Sequence, residues 1–95
     1  MKPMSDARLS AVARITNKRG LHARAAAKLV EAASRFKSHI IVNKDGQSIE
    51  ARSIMGLMLL AASLGSEVEI CAEGEDAKEA LTAILALIAA KFGEE

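Results

Sequence analysis

Residues 9–36 read LSAVARITNKRGLHARAAAKLVEAASRF, and the organisation of the chain follows from the point at which the period of this stretch changes. Leu9, Ala11, Ala13 and Ile15 alternate with Ser10, Val12, Arg14 and Thr16, the two-residue period of a strand with one buried face. Asn17 to Gly20 break the alternation. From Ala23 onward apolar side chains recur at Ala26, Leu29, Val30, Ala33 and Phe36, one face of a helix, with Lys28, Glu31 and Arg35 on the other. The junction of the two periods, Gly20-Leu21-His22-Ala23-Arg24, puts a histidine and an arginine two positions apart at a helix start. The first N–H groups of a helix have no intrahelical partners and carry partial positive charge, so a phosphate is stabilised there before any side chain contributes. Arg24 adds a rigid fork of donors, and a neutral imidazole at His22 adds a nucleophile able to carry the phosphoryl group itself.

Beyond this stretch the alternation of periods continues. Ile40, Ile41 and Val42 make a β-branched run, Asn43-Lys44-Asp45-Gly46 supplies turn residues, and Gln47 to Ala51 returns as the second arm of a hairpin. Ser53 stands where a helix cap belongs, ahead of Ile54-Met55-Gly56-Leu57-Met58-Leu59-Leu60. Leu64-Gly65-Ser66 turns the chain into Glu67 to Ala72, another half-buried strand closed by Gly74. Asp76 and Glu79 have capping-box spacing, and Ala77, Ala80, Leu81, Ile84, Leu85 and Ile88 form a helical stripe ending near Gly93. The order βαββαβα predicts an α/β (α+β) open-faced sandwich: a four-stranded antiparallel sheet with three helices on one face and solvent on the other. The glycine–histidine turn then falls at an edge of the sheet.

Composition narrows the function classes. Ninety-five residues make one modest core, and a net charge of +1 with scattered Lys and Arg, no Trp, no Tyr and two Phe excludes a nucleic-acid footprint. Cys71 is the single cysteine, so no intrachain disulfide or cysteine metal cluster forms, and neither metal nor cofactor is expected. The polar start lacks the apolar middle of a signal peptide, and Leu81 to Ala90 is too short to span a bilayer, so a cytoplasmic protein without membrane insertion is expected. Residues 1–8 read as an N-terminal extension and residues 9–95 as the domain. His39, at the start of a strand, reads as a surface residue without a role.

Gly20 to Arg24, together with Ala51-Arg52-Ser53-Ile54-Met55-Gly56-Leu57-Met58 and Ala72-Glu73-Gly74-Glu75-Asp76-Ala77, resembles the HPr phosphocarrier family of the bacterial phosphoenolpyruvate-dependent phosphotransferase system, over residues 9 to about 92. The resemblance implies a carrier rather than an enzyme, one that accepts a phosphoryl group from enzyme I on Nδ1 of His22 and passes it to an enzyme IIA of the sugar or nitrogen-related branch. Arg24 matches the family's phosphate-coordinating arginine. Ser53 matches the serine modified by HPr kinase/phosphorylase where that enzyme exists, a role compatible with capping because a phosphate is tolerated at a helix N-terminus. Ala25 departs from the family's usual proline, which keeps the helix but leaves its first turn less rigid.

If Leu57 and Leu60 face inward, Ile54, Met55 and Met58 stay partly exposed, an adaptable apolar surface suited to several partners in turn. The competing reading is an HPr-like regulatory module acting through the Ser53 face without phosphoryl transfer. Retention of His22 with Arg24 favours the carrier, since regulatory homologues can dispense with that histidine.

Overall fold

A computed structural model describes residues 7–94. The elements are β1 (Ala7–Arg14), α1 (Ala23–Ala33), β2 (His39–Lys44), β3 (Gln47–Glu50), α2 (Ile54–Leu59), β4 (Glu67–Gly74) and α3 (Ala77–Ala89), followed by a 3-10 turn over Lys91–Gly93. The four strands form one antiparallel sheet in the order β1-β4-β2-β3, which matches the expected open-faced sandwich. Residues 1–6, with the reading of them as a polar extension, and Glu95 lie outside the described residues.

β1 lies on the sheet edge and pairs along its whole length with β4, from Ala7 opposite Gly74 to Arg14 opposite Glu67. The strand therefore takes in Ala7 and Arg8, which the sequence reading placed in the extension. It stops before Ile15 because that residue's backbone bonds to a loop instead of the ladder: Ile15 N–H donates to Ser66 O and Gly65 N–H to Ile15 O, both at 2.8 Å. In the hairpin, Lys44 pairs with Gln47, so Asn43 and Lys44 extend the ladder instead of turning. Only Asp45 and Gly46 form the loop, with φ of 50° and 83°, and this two-residue geometry matches the twist of the flanking strands.

α1 buries Ala25, Ala26, Leu29 and Ala33, and α3 buries Ala77, Ala80, Ile84 and Ile88. These stripes pack with Ile40, Val42, Val68, Ile70, Ala72 and Phe92 into one core between sheet and helices. Each fully buried Leu, Ile or Phe contributes about 1.5–3 kcal/mol relative to exposure. β4 shows the resulting asymmetry: Val68, Ile70 and Ala72 are buried, while Glu69 and Cys71 between them are half-buried on the outer face. α1 ends at Ala33, short of Phe36, whose N–H closes a tighter turn onto Ala33 O.

The capping box at Asp76 and Glu79 does not form. Asp76 is the N-cap of α3 but makes no capping bond with its side chain. Its carboxylate accepts instead from Lys37 N–H at 2.9 Å, Ser38 N–H at 2.8 Å and the Ser38 hydroxyl. Several donors converging on one carboxylate outweigh a single helix N–H. The Ser38 hydroxyl and the Lys37 N–H hold the Asp76 carboxyl below the usual carboxylate range. Among the described residues no helix is long and apolar enough to cross a membrane, and no group of three or more His, Cys, Asp or Glu could hold a metal ion.

Candidate functional site

The turn between β1 and α1 is pinned to the loop that follows α2. Gly20 has a φ of 65° and approaches that loop so closely that a Cβ would stand 2.5 Å from Ala62 O. The next residue, Leu21, donates its N–H to the same oxygen at 2.8 Å. Asn17, fully buried, closes the turn from within: its backbone O accepts from Gly20 N–H at 3.1 Å and its Nδ2 donates to Gly20 O at 2.8 Å. These bonds fix where the chain enters α1, and they place His22 as the N-cap.

The half-buried His22 ring turns back on its own helix, where Nδ1 accepts from Arg24 N–H at 3.3 Å. The first intrahelical bond runs from Ala26 N–H to His22 O, at 2.8 Å. The N–H groups of Ala23, Arg24 and Ala25 therefore have no carbonyl behind them in the helix, the condition for an anion site. Ala25 is fully buried and the helix begins at Ala23 without a proline. Arg24 is exposed and, among the described residues, its guanidinium has no partner. It lines a cleft of about 420 Å³ with Lys18, Arg19, Lys28, Gly93 and Glu94, four cations against one carboxylate.

Three members of this neighbourhood escaped the sequence reading. Lys28, placed from the sequence only on the polar face of α1, donates from Nζ to Phe92 O at 2.7 Å. Phe92 is fully buried in a left-handed conformation just past α3, and it anchors the segment that delivers Glu94. Glu94 bridges the site, its Oε1 accepting from Asn17 Nδ2 at 2.9 Å and its Oε2 in hydrogen-bond contact with His22 Nε2. The Asn17 amide and then His22 hold the Glu94 carboxyl below its usual range. No periodic pattern contains Asn17, Phe92 or Glu94; the one local sign was a phenylalanine and glycine just beyond a helix end. His39 is outside this cluster, exposed and 3.5 Å from Glu50 Oε1.

Ser53 is exposed and caps α2, its Oγ accepting from Gly56 N–H at 2.9 Å. Leu57 and Leu60 point inward as expected, leaving Ile54, Met55 and Met58 at 40%, 70% and 40% exposure. Leu59 and Leu64, at 72% and 56%, extend this apolar surface beyond the residues picked out from the sequence. Leu59 follows Met55 by one helical turn and was legible in principle, whereas Leu64 lies in a loop without periodicity. α2 packs on α1, so the apolar surface and His22 belong to two helices in contact.

Fold and site together define a small α/β carrier domain. Residues 9–90 match the family described as PTS HPr component phosphorylation site. The phosphocarrier protein HPr of Cupriavidus necator is 51% identical over 80 residues, covering 84% of this chain and 90% of that protein. The HPr-like protein Crh of Bacillus subtilis is 51% identical over 71 residues, 75% of this chain and 84% of that protein. A crystal structure of HPr from Thermoanaerobacter tengcongensis superposes with a TM-score of 0.88 at 49% identity, covering 92% of this chain and 98% of that one. The chain belongs to the HPr family of phosphocarrier proteins of the phosphotransferase system.

Proposed function

We propose that this phosphocarrier accepts a phosphoryl group from phosphorylated enzyme I on Nδ1 of His22 and hands it to an enzyme IIA domain in the cytoplasm. The observation that carries this reading is the setting of the His22 ring, with Nδ1 hydrogen-bonded to Arg24 N–H among the α1 N–H groups that have no intrahelical carbonyl, and a cleft of four cations alongside. Those N–H groups and the Arg24 fork are the donors for the phosphoryl oxygens after transfer. The apolar surface of Ile54, Met55 and Met58, widened by Leu59 and Leu64, is the docking face for both partners.

Ser53 supports a regulatory layer on the same face. Its hydroxyl is exposed at a helix N-terminus, and phosphorylation there by HPr kinase/phosphorylase sets roughly two negative charges beside the docking residues while the helix dipole tolerates them. The test of the main reading is His22→Ala. Acid-labile phosphorylation by enzyme I and phosphoenolpyruvate should vanish while the melting transition stays, because His22 lies outside the core. Retained acid-labile label in the variant sinks the assignment.

A further inference from the structure

Of the six glycines, Gly56 alone lacks a left-handed φ. It is the third residue of the six-residue helix α2, where glycine is a poor helix former and no turn or left-handed backbone calls for it. Its surroundings supply the reason. A Cβ at this position would stand 2.8 Å from Ile49 Cγ2 and 2.9 Å from Ser53 Oγ, well inside ordinary van der Waals contact at 3.4 Å. Ile49 Cγ2 belongs to a half-buried side chain of β3, and Ser53 Oγ is the exposed cap of α2. That oxygen cannot yield freely. It accepts the Gly56 N–H at 2.9 Å, so it is held against the very residue that would carry the added carbon. Rotating the hydroxyl away breaks the cap.

We propose that Gly56 is a specificity-determining residue for the modification of Ser53: its bare Cα leaves the room beside Ser53 Oγ that an incoming phosphoryl group needs. The proposal rests on the reading of Ser53 as the serine modified by HPr kinase/phosphorylase. In that step an Oγ lone pair forms the new O–P bond as the terminal phosphoanhydride bond of a nucleoside triphosphate breaks. The electron pair leaves on the nucleoside diphosphate, and the hydroxyl proton passes to a base of the kinase. Phosphorus and three further oxygens then crowd around an oxygen already in contact with the α2 backbone. A methyl group at position 56 takes part of that space or drives Oγ off its cap by about 0.5 Å. A misplaced nucleophile of this kind loses about tenfold in rate, because transfer depends on where the attacking atom is held. The added carbon would point at Ile49 and Ser53, so exposed Ile54, Met55 and Met58 keep their places. Gly56 therefore governs whether Ser53 takes the phosphoryl group, not whether a partner seats on α2.

The test follows acid-stable labelling of Ser53 by HPr kinase/phosphorylase and ATP in wild type, Gly56→Ala, Ile49→Ala and the double variant, each below its melting transition. Ile49→Ala removes the methyl on the β3 side, so in the double variant the added carbon meets Ser53 alone. In Gly56→Ala kcat should fall about tenfold with KM within about twofold of wild type, and the double variant should stay about tenfold below Ile49→Ala. Acid-labile phosphorylation by enzyme I and phosphoenolpyruvate should remain within about twofold throughout. Four results overturn the proposal and leave Ser53 standing as the modified serine. They are a wild-type kcat in Gly56→Ala, a rise in KM alone, an equal loss of acid-labile uptake, and recovery of the double variant to the rate of Ile49→Ala. The last would mean that the glycine makes room for Ile49 only. A wild-type protein that takes up no acid-stable label overturns the reading of Ser53 and the proposal with it.

Discussion

Two glycines with similar backbone angles separate the cost of a left-handed alanine from the cost of a collision. Gly20 and Gly46 have φ of 65° and 83°, so an alanine at either incurs the left-handed penalty of roughly 1–2 kcal/mol, offset in part by reduced unfolded-state entropy. Around Gly46 nothing lies within 4 Å of the added Cβ, and that net penalty of about 1 kcal/mol is the whole effect. At Gly20 the Cβ would meet Ala62 O at 2.5 Å and Ser63 Cα at 2.8 Å, both backbone atoms. Relief requires the loop after α2 to retreat by about 1 Å, which adds overpacking of about 1–3 kcal/mol and loosens the Leu21–Ala62 hydrogen bond, worth about 0.5–1.5 kcal/mol.

Gly20→Ala should therefore be less stable than Gly46→Ala by about 1.5–4.5 kcal/mol, a Tm at least about 6 °C lower for a domain of this size. Scanning calorimetry of both variants at neutral pH reads the difference directly. The phosphorylation rate by enzyme I, measured well below both transitions, should fall for Gly20→Ala alone, because only that turn presents His22. Melting temperatures within about 2 °C of one another would refute the close approach of the two loops, and with it the account of how His22 is held.

Arg24→Lys should slow phosphoryl transfer in rapid-quench assays although charge is conserved, since an ammonium cannot grip two phosphoryl oxygens as a guanidinium does; matched rates would reduce Arg24 to a point charge. The depressed Asp76 carboxyl predicts a pH-dependent contribution to stability, fully present above the ordinary aspartate range and lost as pH falls through the lowered folded value. Asp76→Asn should consequently melt below wild type at neutral pH, with the gap closing in acid; a gap constant across a thermal-melt pH series contradicts the charged bonds to Lys37 and Ser38. Ser53→Asp should lower the rate of His22 phosphorylation with little change in melting temperature, because the α2 dipole favours the added charge while the neighbouring apolar surface does not. A wild-type rate in that variant removes the surface around Ile54, Met55 and Met58 from the enzyme I contact.

What the sequence made legible was whatever depends on neighbours along the chain. The two-residue period of β1 and β4 and the stripes of α1 and α3 yielded the layers, and the glycine before His22 located the helix start. Ser53 was readable as a cap because capping is a three-residue affair, realised in the bond from Gly56 N–H. Asp76 shows the limit of the same logic. Its spacing to Glu79 fits a capping box, but the donors of Lys37 and Ser38, 39 and 38 positions away, bind the carboxylate first. Glu94 lies further still from any local rule, reaching His22 across 72 positions only because Phe92 buries itself and turns the chain back. Such contacts leave no periodicity, since each needs one residue at one place.

The arrangement around His22 also bears on how a carrier releases its partners. A phosphoryl group held in a deep cavity would be stabilised where it lies, whereas this ring is half-buried, beside an open cleft whose cations favour an acidic partner's approach more than its retention. In the function proposed above, the apolar surface on α2 completes the division of labour. Two of its members are methionines, whose flexible side chains repack against different surfaces, and its exposure leaves the core untouched when a partner departs.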